Sequence, residues 1–291
     1  MDVGRETVQE HREKIHRERL ARLARLRPID DDFMRCIFRD NIPLAQMVLG
    51  ILVGQEDIRV TRVETQKDLK RLVGARSLCL DTYMNDDSSA RYDVEIQRSD
   101  KGAGAHRARY HASSMDIENL DAGQNFEELP DTYTIFITEK DVYKKGRAVY
   151  PIERMNLGTD ELFGDGQHIL YVNGAHRGDS KLGKLMHDFS CSDPDEMYFD
   201  LMKETVRYYK ETEEGVAVMC REFEEEREAG RKEGREAGRK EGRKEGRLQG
   251  IDETRIADVR SLMEALQFTA IEAMTTLRIP VAEQERYLAM M

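Results

Sequence analysis

The sequence is poor in cysteine. Its four, Cys36, Cys79, Cys191 and Cys220, are scattered and form no C-x-x-C pair. That argues against a disulfide scaffold and a zinc knuckle, and it suits a reducing compartment. Long apolar runs are missing too. The longest, Ile42 to Gly54, is interrupted by Gln46 and falls about seven residues short of a membrane span. The opening MDVGRETVQEHREKIHRERL holds no apolar core of a secretory signal. Nor is there an excess of positive charge: 46 Lys+Arg stand against 57 Asp+Glu, a net −11. This argues against a generally basic DNA coat protein and leaves room for an enzyme that grips nucleic acid through a local patch. The expectation is a soluble cytoplasmic protein with no membrane partner.

The chain has 291 residues, of which 39% are hydrophobic and 35% charged. One or two domains with a real core fit that length. The charge exceeds the usual quarter or so, and the excess belongs on solvated helices or tails. Residues 5–27 look like a charged helix with Ile15, Leu20, Leu23 and Leu26 as its apolar points, stopped by Pro28. From Asp30 the chain turns apolar. Asp31 or Asp32 can cap a short helix carrying Phe33, Ile37 and Phe38. Pro43 suits the first turn of the next, with Leu44, Met47, Val48, Ile51 and Leu52 at core spacing.

Strand signals follow at 58–63, 77–84 and 91–97, with the polar turn cluster Asn85-Asp-Asp-Ser-Ser-Ala90 between the last two. Residues 105–121 read as a helix that Gly123 can end. Thr132 to Thr138 is a strongly apolar strand, and 148–152 and 168–172 are two shorter ones. Helix, three strands, helix, strand is an α/β pattern with a mixed sheet.

After Asp193 the pattern is helical, with Met197, Leu201, Thr205, Tyr208 and Tyr209 as its buried stripe. Between Arg221 and Gly250, glycines recur every fourth residue, at 230, 234, 238, 242, 246 and 250, among Arg, Lys and Glu. Each costs a helix roughly 1 kcal/mol relative to alanine, and i,i+3 or i,i+4 ion pairs return only a few tenths each. A lone helix is marginal here; paired helices can use the small residues for close approach. The segment is either a frayed solvated helix or linker, or an oligomerisation arm. A four-residue period exceeds 3.6, so such a seam drifts toward a right-handed wrap. Residues 252–291 read as three short amphipathic helices, with a capping box at Thr269-Ala-Ile-Glu272 and a new turn at Pro280. They carry few basic residues for reading DNA. The expected domains are 1–28, a charged helix; 29–192, the α/β domain; 193–250, the long charged helix; and 251–291, the helical tail.

The stretch Leu80 to Gln97 carries the chemistry. Folded as a hairpin around Asp86–Ser89, it places Asp81 across from Val94 or Glu95. Strand alternation then puts Leu78, Leu80 and Thr82 with Val94 and Ile96 on a core face. Cys79, Asp81 and Tyr83 share the other face with Asp93, Glu95 and Gln97. Two carboxylates across a hairpin repel unless something compensates. A divalent cation does so, and Mg²⁺ takes one or two carboxylates, waters and substrate phosphate oxygens. The Ile96 backbone carbonyl is a possible further ligand. A solvated polar strand face is the alternative.

Asp81, a polar hairpin and Glu95-Ile96-Gln97, read in full as LDTYMNDDSSARYDVEIQ, resemble the PD-(D/E)XK nuclease superfamily, in the branch of nuclease family transposases or recombination-promoting nucleases. Upstream DDFMRCIF, downstream Arg107-Ala-Arg-Tyr-His111, the segment LDAGQNFEELPDTYTIFI and the Gly-periodic tail fit the same branch. The resemblance covers roughly residues 30–250. It implies a restriction-endonuclease-like αβββαβ core followed by a long charged helix and a small helical tail, and metal-dependent DNA cleavage linked to transposition or recombination. Asp81 and Glu95 would hold Mg²⁺, with Mn²⁺ as a possible substitute. Gln97 completes the catalytic set where better-known members have lysine, and Leu80 replaces the usual proline before Asp81. Glutamine carries no charge and takes no proton from water near neutral pH; it orients by hydrogen bonds.

On the helix after the hairpin, Ala105, Ala108, Ala112 and Met115 form a small-residue stripe that can lie on the sheet. Beside it, Arg107 and Arg109 can contact phosphates and Tyr110 can stack or hydrogen-bond near the metal; an ordinary exposed face is the alternative. His168, His176 and His187 show no ligand spacing, and Lys101-Gly-Ala-Gly104 lacks P-loop spacing. Two functional readings stand. One is a Mg²⁺-dependent DNA endonuclease. The other is a catalytically weak or inactive nuclease-fold protein that binds DNA or forms homo-oligomers through its C-terminal helix. A scaffold acting only through its tail ranks last.

Overall fold

The structure, a computed structural model, describes residues 8–69, 78–98 and 102–291. The chain divides into two units, Met1–Phe223 and Glu224–Met291.

In the first unit, helix α1 (Val8–Arg25) buries only Leu23 of its four expected apolar points, with Leu26 packing just beyond its end. Residues 5–7 of the expected helix lie outside the described residues. Helix α2 (Asp31–Phe38) is capped by neither Asp31 nor Asp32. Asp30 holds the N-cap position and makes no side-chain cap bond, because its carboxylate accepts from the Arg27 N–H and guanidinium. Helix α3 (Ile42–Val53) starts as expected. Asn41 accepts from the Leu44 N–H, Pro43 lies in the first turn, and Gly54, at φ +73°, closes the end.

Strand β1 (Val60–Asp68) begins later and runs further than the sequence signal at 58–63. β2 (Cys79–Asp86) and β3 (Arg91–Gln97) form the expected hairpin, apart from Ser77, which lies outside the described residues. Its turn is built by Asp86, whose carboxylate accepts from Ser88 Oγ, the Ala90 N–H and Tyr92 OH. Helix α4 (Ala105–Asn119) stops before Gly123, which lies in the following turn at φ +90°. Asn119 anchors the end: its amide donates to the Met115 carbonyl, and its oxygen accepts from Tyr83 and Arg91. β4 (Thr132–Thr138) and β5 (Val149–Ile152) follow, then an unforeseen small ladder of β6 (Met155–Asn156) and β7 (Glu161–Leu162), then β8 (Gln167–Asn173).

The main sheet has the order β1-β2-β3-β4-β8-β5. β3, β4 and β8 run parallel, and the other pairings are antiparallel. The mixed sheet expected from the sequence is therefore present. One face carries Val94, Ile96, Ile135, Ile137 and Val172 into the main core with α2, α3, α5 (Lys181–Ser190) and α6 (Asp200–Glu211). The other face packs under α4, where Ala103 and Ala108 meet Phe136 and Tyr171, and Met115 meets Leu80 and Tyr83. In α6 the buried positions are Met202 and Val206, with Tyr209 OH donating to the Cys36 carbonyl. Leu201 is exposed. The helix starts at Asp200, which shifts its apolar face off the expected stripe.

Helix α7 (Glu213–Leu266) is continuous through the glycine repeat. All of residues 224–250 are exposed, and a Cβ on any of the six repeat glycines would meet nothing within 4 Å. In the second unit, α7 ends beside α8 (Ala270–Thr276) and α9 (Val281–Met290), around a core of Val259, Ala273, Met274, Ile279 and Tyr287. The first of the three expected short helices is thus the end of α7. The Thr269–Glu272 capping box is formed. Among the described residues no single helix is long and apolar enough to cross a membrane.

Candidate active site

The β2–β3 ladder pairs Asn85 with Arg91 through to Thr82 with Val94. The next rung would set Asp81 against Glu95, and there the ladder stops. The Asp81 N–H donates to Glu95 Oε1 at 3.0 Å, and the Ile96 N–H donates to Asp81 Oδ2 at 3.3 Å. Each carboxylate takes the place of a backbone carbonyl. Opposite this break, Gln66 of β1 adopts φ +55° and its amide approaches Asp81 Oδ1 at 3.4 Å. Strict alternation fails here as a result. Leu80 joins Tyr83 under α4, whereas Thr82 reaches Met34 of α2.

The polar face is not a solvated one. Helix α4 covers it, and Asp93 and Glu95 are fully buried. From α4, Arg107 Nη2 donates to Glu95 Oε2 at 2.8 Å and Nη1 to Gln97 Oε1 at 3.1 Å. Gly102 lies so near that a Cβ on it would meet Gln97 Oε1 at 1.8 Å. The structure thus brings Asp81, Glu95, Gln97 and Arg107 together.

Residues 42–176 match the family model of the PD-(D/E)XK nuclease family transposases. The match runs from the start of α3 to just past β8, so it takes in the whole main sheet and α4. The mixed sheet with its surrounding helices is consistent with the PD-(D/E)XK fold, as the resemblance implied. No curated protein and no solved structure matches the chain.

Within the matched segment, Arg109 and Tyr110 are exposed on α4. Ile96 meets Asp81 through its N–H. Two residues that sequence reasoning left out also belong to the cluster. His111, one turn after Arg107, places Nδ1 2.8 Å from Asp93 Oδ2, and both are buried. The i,i+4 spacing of Arg107 and His111 was visible in the sequence, as was the place of Asp93 on the face of Glu95. What was not visible is that α4 lies on that face.

The electrostatics follow from burial. Glu95 is pushed up to about 9, first by burial and then by the negative charges of Asp93 and Asp81. Asp93 is raised well above the usual carboxylate range, chiefly by burial and then by Asp81. Asp81 is raised by burial, against the hydrogen bond from Ile96. Burial lowers His111 below its ordinary value. Three acids in one place, with Arg107 as the ion-pair partner of Glu95, leave negative charge to be balanced by protons or a cation.

The carboxylates of Asp81, Asp93 and Glu95 are the oxygen donors that suit a hard divalent ion. Asp93, Glu95 and His111 each offer a ligand atom within 4.8 Å of the others. Asp93 Oδ1 is buried and finds no hydrogen-bond partner among the described residues. PD-(D/E)XK nucleases generally use divalent metal ions, and this buried acidic and histidine group is one that can bind such an ion.

Proposed function

We propose that this chain is a divalent-metal-dependent DNA endonuclease, associated with transposition or recombination and working in the cytoplasm. The observation that carries the reading is the meeting of Asp81 and Glu95 at the broken rung, inside a domain matched to a nuclease family. Residues 29–192 form the nuclease domain in this reading. Asp81, Glu95 and the Ile96 carbonyl would hold Mg²⁺ or Mn²⁺. When bound, such an ion polarises a phosphodiester and lowers the pKa of a bound water. Gln97, uncharged, orients water or phosphate by hydrogen bonds and holds no proton. Arg107 meets the phosphate beside Glu95 and Gln97. Arg109 and Tyr110 contact the DNA backbone from the exposed side of α4.

Supercoiled plasmid incubated with the protein and Mg²⁺ or Mn²⁺ is expected to be nicked or cut. The Asp81→Asn protein should leave it intact. Equal cleavage by wild type and variant would refute the site.

A second reading is a weak or inactive nuclease fold that binds DNA or self-associates through α7. It is favoured by Gln97, whose oxygen is already engaged by Arg107, and by the exposed glycine repeat. It is selected if DNA is retained without cleavage under either metal.

A further inference from the structure

Arg107 is held on three sides. Besides Glu95 and Gln97, its Nε donates to His111 Nε2 at 3.1 Å. Arginine only donates and stays charged, so His111 Nε2 must accept. With no ion bound, the histidine is then neutral with its proton on Nδ1, and that proton points to Asp93 Oδ2 at 2.8 Å. The order of donors assigns this tautomer. The imidazole is also wedged edge-on against Phe136, with ring centres 5.7 Å apart. Asp93 and His111 are fully buried, while the Arg107 side chain keeps 41% exposure. The chain of hydrogen bonds therefore runs from the interior to an accessible cation.

Such a buried pair is poor value as a stabiliser. Apolar residues of the same size would fold about as well or better, and Asp93 Oδ1 is left with no partner among the described residues. Its use lies in geometry. A guanidinium has five N–H donors; one is used on each of His111, Glu95 and Gln97. The other two remain for a ligand, in a plane the protein has already set. A free arginine would lose its rotamer freedom on meeting that ligand.

We propose that Asp93 and His111 are a buried positioning pair that fixes the Arg107 guanidinium to bind a phosphate oxygen of DNA beside Glu95 and Gln97. Arg107 thereby brings positive charge to the edge where Gln97 has none. This rests on the nuclease reading above, and the test separates the two.

The first arm needs neither metal nor DNA. In full-length protein labelled with ¹⁵N-histidine, His111 should show the neutral tautomer protonated at Nδ1. Its Nε2 signal should move in Arg107→Lys, whose ammonium cannot reproduce the fork. The opposite tautomer, or no response to Arg107→Lys, overturns the pair.

The second arm measures binding of a fluorescein-labelled duplex in Ca²⁺. Arg107→Ala and His111→Phe should each weaken it by about tenfold or more. The double variant should lose no more than Arg107→Ala alone, because His111 acts through Arg107. His111→Gln, whose amide can donate at one end and accept at the other, should recover most of the loss. Additive losses, or wild-type binding by His111→Phe, overturn the proposal. Should His111→Phe not fold, the tautomer of the wild-type protein still decides the pair. Wild-type protein that binds no duplex removes both the nuclease reading and the phosphate role. The tautomer arm then still reports whether Arg107 is held.

Discussion

The Asp81 N–H is held by the Glu95 carboxylate at 3.0 Å, at the point where β2 leaves β3. One acid thus serves the strand and the site together. Alanine at Glu95 removes a charge and frees a strand edge; glutamine keeps an acceptor for the same N–H. Glu95→Gln and Asp81→Asn are therefore expected to melt close to wild type while plasmid cleavage falls by more than about a hundredfold. Calorimetry should show Mn²⁺ binding lost in both. Retained Mn²⁺ binding in the two variants would place the metal elsewhere.

Stability of the metal-free protein should fall with rising pH. Glu95 is pushed up to about 9 from an ordinary value of 4.5, with Asp81 and Asp93 raised beside it. A carboxyl whose folded pKa is raised binds its proton more tightly in the folded state. Its contribution is complete below the unfolded pKa and drains away as pH climbs to the folded one. One such proton is worth about 1.4 kcal/mol per pH unit, and the acids titrate as a group. His111, lowered by burial, works at the other end, costing stability as pH drops below its ordinary value. Melting temperature should thus decline from near neutrality toward pH 9, and Glu95→Gln should flatten the decline. Mg²⁺ should restore stability most at the alkaline end, since it binds the deprotonated acids. A flat profile in wild type contradicts the buried-acid account.

Gly102 gives a probe that leaves every charge in place. A methyl there would meet Gln97 Oε1 at 1.8 Å, so the glutamine must swing away from Arg107. The backbone is otherwise able to carry alanine, and stability should change by less than about 1 kcal/mol. Cleavage should drop by roughly tenfold, the value of one lost charge-assisted hydrogen bond. Wild-type kcat in Gly102→Ala would remove Gln97 from the reaction.

The glycine repeat is open to a simple exchange. Gly234→Ala, Gly238→Ala and Gly242→Ala lie where a Cβ meets nothing, and each should favour helix by about 1 kcal/mol. Circular dichroism should show increased helicity, with the melt of the first unit unchanged. If copies associate through this stripe, the added methyls hold them apart, and sedimentation should show a weaker assembly. Loss of helicity on substitution would contradict an exposed helix.

Much of this was legible in the chain itself. β3 and β4 fall on the residues expected, because each is a short β-rich run bounded by polar turns. The hairpin register followed from the Asp86–Ser89 turn, and alternation correctly set Asp93, Glu95 and Gln97 on one face. The cover over that face was not legible. It depends on α4 docking across β3 and β4, a contact between distant segments. Sequence spacing showed a small-residue stripe on α4 without showing what lay beneath it. His111 was for that reason given no role of its own. The Asp30 cap was missed because Arg27 draws its carboxylate backward, and the α6 face was misplaced by the position of its first turn. Arg109 and Tyr110, grouped with Arg107 in the sequence, are exposed on α4, Tyr110 one turn along the helix from Arg107.

The two amides that end the β2–β3 ladder have a use of their own. The N–H groups of Asp81 and Ile96 are held by carboxylates, whereas the neighbouring amides pair with carbonyls. Whatever draws those carboxylates elsewhere must loosen the two amides and leave the rungs beyond them undisturbed. Their deuterium uptake is therefore a built-in gauge of loading at the site. It can be read from two peptides, in a protein that need not turn over anything.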